Sequence, residues 1–284
     1  MTRVFLFPGQ GSQKVGMGGG LFARFPAQVA VADAELGYSI EALCLRDPDG
    51  RLNDTRYTQP ALFVVNALMF LDRLLSTGEL PAVVAGHSLG EYDALFAAGV
   101  FDFATGVRMV RQRAELMGRA RGGSMAAVVG LGRVAIERVL SSPGLEGVDI
   151  ANLNSPLQTV ISGPESAIDR ARPLFEAAGA RMFHKLAVSA AFHSRYMRAA
   201  AEEFRGVLRT CDFAPPRIPV LSNVTARPHE AGSIADRLAD QIDHPVRWVE
   251  TLGWISRMPE ARFEEIGPGN VLAGLVRRFQ SEKE

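Results

Sequence analysis

"VVAGHSLGEYDAL", residues 83–95, passes from apolar residues to glycine, through a short polar stretch, and back to apolar residues. Within it, Gly86-His87-Ser88-Leu89-Gly90 matches Gly-x-Ser-x-Gly, the pattern of a nucleophile elbow. There a sharp strand-to-helix turn lifts a serine out of the fold, and the flanking glycines let backbones pass close by. The motif requires a strand before it and a helix after it. Residues 83–85 read as a short buried strand. Residues 91–98 read as a helix whose acidic first residue suits the positive end of the helix dipole. A five-residue pattern also arises by chance, and then these residues are a glycine-rich turn with an incidental serine.

Working outward, residues 4–7 form a buried strand ended by Pro8 and the loop "GQGSQ". Residues 60–75 form an apolar helix, and residues 105–117 a helix after "FDF". From there the expected order is strand 125–131, helix 134–140, strands 148–152 and 159–162, helix 165–178 ending at Gly179, and strand 181–186. That β-α-β-β-α-β order is the ferredoxin-like signature. Strands at 220–223 and 263–266 follow. Strands alternating with helices favour a parallel sheet covered by helices. The expected architecture is therefore a large α/β subdomain of residues 1–121 and 189–284, interrupted by a small subdomain of residues 122–188.

The 284 residues are 47% hydrophobic, enough for a substantial core, and the formal net charge is zero, without the basic excess of a nucleic-acid binder. No apolar run approaches the roughly 18 residues of a membrane span, and "MTRVFLFPGQ" lacks the features of a signal peptide. Cys44 and Cys211 fall outside any metal or redox spacing. They are expected to be buried thiols in a reducing, cytoplasmic setting, with no metal.

A serine nucleophile at neutral pH needs a base. Of the five histidines, His87 adjoins Ser88 and should point away from it, and His184 lies within an expected strand. His229 and His244 sit in polar stretches and read as surface residues. His193, in "SAAFHS", lies where the chain returns from the insert, between two packed units where sites tend to form. It is the best candidate base, though a satisfied, half-buried histidine would read the same. Oxyanion donors are expected from the Leu89 amide and from the glycine-rich loop 7–13, which could also be a plain turn. On a helical wheel of residues 105–117, Val107, Val110, Ala114 and Met117 form one apolar stripe. Arg113 borders that stripe, about 60° from Val110 and about 40° from Met117. An inward-leaning arginine must snorkel, pair with a protein carboxylate, or meet a substrate carboxylate as a bidentate fork.

"FPGQGSQ", "TQPALFVVNAL", "GHSLGE", "MVRQRAELM", "IANLNSPLQTVISG", "SAAFHS", "PVLSNVTA", "QIDHPVRW" and "EIGPGNVLAGL" together resemble the malonyl-CoA:acyl carrier protein transacylase family, in order and over nearly the whole chain. The resemblance implies an α/β-hydrolase-like core with the ferredoxin-like insert. It also implies Ser88 as nucleophile, His193 as base, the Gln10 and Leu89 amides as oxyanion hole, and the Gln241 carbonyl as the group orienting His193. Arg113 would hold the malonyl carboxylate, with Gln59 and Asn154 in the pocket region. Phe192, before the base, accompanies malonyl rather than methylmalonyl enzymes. The implied reaction is ping-pong transfer from malonyl-CoA to the phosphopantetheine thiol of an acyl carrier protein, without cofactors. A free-standing monomer acting in trans is expected, with a serine hydrolase or a carrier-docking scaffold as the alternatives. One departure is Asp93 in "GEYDAL", where that family carries a small or hydroxyl residue. Five residues beyond Ser88 on a helix, its side chain should point about 140° away. Facing the cleft instead, it would repel an anionic substrate.

Overall fold

A computed structural model describes residues 2–188 and 190–282; Ser189, the expected first residue after the insert, lies outside the described residues, as do the ends of the expected range at 1 and 284. The structure is mixed α/β with one parallel and one antiparallel four-stranded sheet. The parallel sheet contains β1 (Thr2–Phe7), β2 (Val83–Gly86), β7 (Val220–Leu221) and β8 (Ala261–Glu265), in the order β7-β2-β1-β8. Phe5, Phe7 and Val84 pack into an apolar cluster on one face, and Val4, Leu6, Val83 and Ala85 into another on the opposite face. Burial on both faces explains why residues 4–7 of β1 and 83–86 of β2 read as unbroken apolar runs.

Between them lie β3 (Gly123–Val129), β4 (Asp149–Ser155), β5 (Gln158–Pro164) and β6 (Met182–Lys185), paired antiparallel in the order β4-β5-β3-β6. Helices Arg133–Leu140 and Glu165–Ala177 complete the ferredoxin-like order. Ile136, Val139, Ile161, Ile168 and Phe175 belong to an apolar cluster of this unit's own. A backbone bridge from Asn152 to Val246 ties β4 to the larger part of the chain.

The expected helix at 60–75 spans Thr55–Thr77, because Asp54 caps it by accepting from Arg56 N–H at 2.9 Å. It has the length and mean hydropathy (1.3) of a membrane span, which counting uninterrupted apolar runs does not detect. Here it is a core helix, with Thr58 through Leu68 buried. The helix at 105–117 spans Phe103–Arg119, capped by Asp102, which accepts from Thr105 N–H at 2.7 Å. Strand β7 is shorter than expected: after Leu221 the chain turns, Ala226 N–H donating to the Ser222 carbonyl at 2.8 Å, and Asn223 is redirected toward the elbow. Helices at Pro26–Leu36, Arg198–Leu208, Ile234–Asp243, Trp248–Ile255 and Val271–Ser281 complete the layers around the parallel sheet.

Candidate active site

The carboxyl ends of β1, β2 and β7 converge, which is where open α/β sheets place their sites. Beyond β2 the chain turns so tightly that a Cβ on Gly86 would lie 1.9 Å from the Gly90 carbonyl carbon, and a Cβ on Gly90 2.0 Å from the Phe7 carbonyl oxygen. Only glycine fits either place. Between them Ser88 is held at φ 51°, a left-handed conformation that serine rarely adopts and that stores strain at the turn. Asn223 stabilises it: Ser88 N–H donates to Asn223 Oδ1 at 2.7 Å, and Asn223 Nδ2 donates to the Gly86 carbonyl at 2.7 Å. The loop after β1 lies against the elbow, since a Cβ on Gly9 would meet the His87 carbonyl oxygen at 2.4 Å. Among the described residues, the backbone amides of Gln10 and Leu89 donate to no protein acceptor. They remain available to a ligand.

His193 also has a positive φ, 56°. Its Nδ1 lies 2.8 Å from the Gln241 carbonyl and its Nε2 2.8 Å from Ser88 Oγ. With Nδ1–H donated to a carbonyl, Nε2 presents its lone pair to the serine hydroxyl, the arrangement of a general base. Burial first, and then the neighbouring Arg113 cation, lower the imidazole pKa from 6.5 to about 3. The folded protein therefore keeps this imidazole neutral at pH values where an unfolded chain would protonate it. The stability that follows is present above pH 6.5 and is lost as pH falls through the window from 6.5 to about 3. The acid limb of kcat/KM for acylation should then show no inflection near pH 6.5, measured down to pH 5 where the fold persists. A limb centred near 6.5 would place the base in an exposed, ordinary environment.

Arg113 is 1% exposed, on the inward side of the Phe103–Arg119 helix. Its Nη2 donates to Ser88 Oγ at 3.1 Å and to Gln241 Oε1 at 2.9 Å, and its Nη1 donates to Gln59 Oε1. The guanidinium lies over the Tyr92 ring at 5.3 Å, and its Nε has no partner. None of its hydrogen-bond partners is a carboxylate. Burial lowers its pKa, and Tyr92 and the more distant Glu91 carboxylate offset this only in part. A buried cation in this state favours any anion brought to it.

These groups line a cleft of about 110 Å³ with His87, Leu89, Gln10, Met117, Met125, Asn152, Leu186, Val188 and Phe192. Asn154 stands behind that lining, its Oδ1 2.8 Å from His87 Nε2, and the His87 ring faces Trp248 rather than Ser88. Beneath the elbow lies a polar cluster that sequence reasoning missed. Glu91, fully buried, lies 2.6 Å from His229 Nε2 and accepts from Asn223 N–H at 3.2 Å and from Gln241 Nε2. Gln241 Nε2 also donates to the Ser88 carbonyl at 2.9 Å. The reading of His229 as a surface residue is corrected: its side chain is fully buried because its polar segment folds under the elbow onto Glu91. Cys44 is buried, but Cys211 is only half-buried, in the turn that follows the Arg198–Leu208 helix. Asp93 is fully buried and lines no part of the cleft; its carboxyl meets Asn66 instead.

A family model for the acyl transferase domain matches residues 4–282. The chain belongs to the acyl transferase family. It is 51% identical to a polyketide biosynthesis malonyl CoA-acyl carrier protein transacylase (BaeC) of Bacillus velezensis, over 99% of this chain and 98% of that one. Polyketide biosynthesis proteins of Burkholderia thailandensis and Bacillus subtilis are each 50% identical to it, and there the chain spans only 24% and 37% of their lengths. Among solved structures, a malonyl CoA-acyl carrier protein transacylase from Burkholderia pseudomallei superposes with a TM-score of 0.97 at 49% identity, covering 100% of this chain and 99% of the other. A malonyl-transacylase solved in complex with a type II polyketide acyl carrier protein superposes with a TM-score of 0.94 at 38% identity, covering 99% and 94%.

Proposed function

We propose that this acyl transferase moves a malonyl group from malonyl-CoA, through a malonyl-Ser88 intermediate, to the phosphopantetheine thiol of an acyl carrier protein. The observation that carries the reading is Arg113, a buried guanidinium with no carboxylate partner, 3.1 Å from Ser88 Oγ. A site built this way favours an acyl group that ends in a carboxylate.

In the first half-reaction the malonyl carboxylate pairs with Arg113, placing the thioester carbonyl over Ser88. Ser88 Oγ attacks as its proton passes to His193 Nε2. The Gln10 and Leu89 amides receive the oxyanion. The tetrahedral intermediate collapses, the C–S bond breaks, and the coenzyme A sulfur takes the proton from His193. In the second half-reaction His193 takes the proton of the carrier thiol as its sulfur attacks malonyl-Ser88; the bond from the acyl carbon to Ser88 Oγ then breaks, and His193 returns the proton to Ser88 Oγ. The Gln241 carbonyl holds Nδ1 throughout, in the place a carboxylate occupies in a triad. Each step is addition or elimination at an acyl carbon, which calls for neither a metal nor a redox group.

Phe192 packs beside the cleft with Met125, Leu186 and Val188 and sets the space at the acyl α-carbon. One methyl in an apolar pocket is worth about 1–3 kcal/mol. Wild type should therefore prefer malonyl-CoA over methylmalonyl-CoA in kcat/KM by roughly 10- to 200-fold, and Phe192→Ser should shrink that ratio. Equal kcat/KM values in wild type would refute the preference. An unchanged ratio in the serine variant would remove Phe192 as its cause. The activity itself is tested by intact mass after mixing with a panel of acyl-CoAs, with and without carrier protein: a malonyl adduct should form and then leave for the carrier.

A further inference from the structure

Asp93 sits on the Gly90–Ala97 helix that follows the nucleophile, fully buried. Its Oδ2 accepts from Asn66 Nδ2 at 2.9 Å, and the same amide nitrogen donates to the Pro8 carbonyl at 3.0 Å. The two remaining oxygens, Asp93 Oδ1 and Asn66 Oδ1, are both buried, and neither has a partner. The turn at Gly267 closes the other side, since a Cβ there would lie 2.5 Å from Asn66 Oδ1 and 2.3 Å from Pro8 Cγ.

With Asp93 ionised, this arrangement buries an anion without a counter-charge and leaves an amide oxygen bare beside it. Both are costly in an apolar core. A single proton on Asp93 Oδ1 removes both costs. The acid O–H then donates to Asn66 Oδ1 while the Asn66 N–H donates to the acid carbonyl oxygen, so that acid and amide close a ring of two hydrogen bonds. We propose that Asp93 is a neutral carboxylic acid locked to Asn66 in such a ring, and that the pair is a positioning device for the loop that carries the Gln10 amide. Burial, which pushes this carboxyl well above the usual carboxylate range, agrees with it. Asn66 has two amide hydrogens: the ring uses one and so aims the other at the Pro8 carbonyl, two residues before Gln10. Asp93 thus acts through Asn66 and touches no substrate. Its catalytic consequence rests on the reading of the Gln10 amide as an oxyanion donor.

The test combines infrared spectroscopy with single-turnover kinetics. Wild type labelled with carboxyl-¹³C aspartate should show, at pH 7, the isotope-shifted carbonyl band of a protonated carboxyl, absent from Asp93→Asn. The lack of any protonated aspartate band in wild type overturns the proposal without recourse to a variant. In acylation of Ser88 by malonyl-CoA, Asp93→Asn, which restores the ring as an amide pair, should react close to the wild-type rate. Asp93→Leu should slow by a factor on the order of 10², the usual consequence of a donor displaced by about 1 Å, with an unchanged adduct amplitude. Amplitude reports the folded fraction and rate the positioning, so a smaller amplitude at the wild-type rate shows a merely structural residue and overturns the positioning role. If Asp93→Leu does not fold, Asn66→Ser breaks the same ring and carries the same expectation. A wild type that takes up no malonyl overturns the reading of the site, and the positioning role with it, while the infrared band still decides the protonation of Asp93.

Discussion

Arg113→Ala should lose most acylation by malonyl-CoA while becoming relatively tolerant of acetyl-CoA. In the proposed mechanism the malonyl carboxylate is desolvated only to meet a desolvated guanidinium. Without the arginine it would be buried unpaired. Truncating one partner of a buried, hydrogen-bonded charge pair costs about 2 to 5 kcal/mol, or roughly 30-fold to several-thousand-fold in kcat/KM. Acetyl-CoA has no such partner to lose. It leaves the wild-type guanidinium facing a methyl group, a penalty the alanine variant lacks. The same change removes a cation that lowers the basicity of His193. The acid limb of acylation should therefore move to higher pH in the variant than in wild type. A variant that keeps the wild-type malonyl-over-acetyl preference would make Arg113 a structural residue, bonded to Gln59, Gln241 and Ser88.

The second large effect concerns the base. His193→Ala should slow acylation by a factor on the order of 10² to 10⁴, the usual scale for loss of a general base. Ser88, its backbone strain, the two free amides and Arg113 all remain in the variant. Binding of malonyl-CoA should persist, and the loss should fall on kcat rather than KM. Little change in rate would mean that another group deprotonates Ser88. Histidine 87 is the nearest alternative in sequence, but its Nε2 is already engaged with Asn154.

Much of this site is legible in the chain before any fold is known, and the reason is local. An elbow is written by two glycines around a serine, and Gly86 and Gly90 are required by contacts of 2.0 Å or less with backbone that would meet any Cβ. The inward lean of Arg113 follows from helical geometry alone. The wheel leaves its partner open among solvent, a protein carboxylate and a substrate. The structure places it against Gln59, Gln241 and Ser88, residues 54, 128 and 25 positions away. His229 reads as a surface residue for the same reason: its polar neighbours suggest solvent, and only the packing of its segment on Glu91, 138 positions away, buries it. Asp93 carries no local signal of its partner either. The helices at Arg198–Leu208 and Trp248–Ile255 begin after Met197 and Arg247, so the usual capping residue is missing from the sequence, while Ser233 and Asn270, ahead of Ile234–Asp243 and Val271–Ser281, make no side-chain capping bond. Where a cap exists, as at Asp54 and Asp102, it moved the boundary outward from the position suggested by the apolar pattern.

The central claim is that Ser88 carries the malonyl group. Intact-mass and peptide mass spectrometry of the protein mixed with malonyl-CoA alone tests it most directly. One malonyl group per chain should appear, on the peptide containing Ser88, and should be discharged by added phosphopantetheinylated carrier protein; Ser88→Ala should acquire none. An undiminished adduct on the alanine variant would contradict the account.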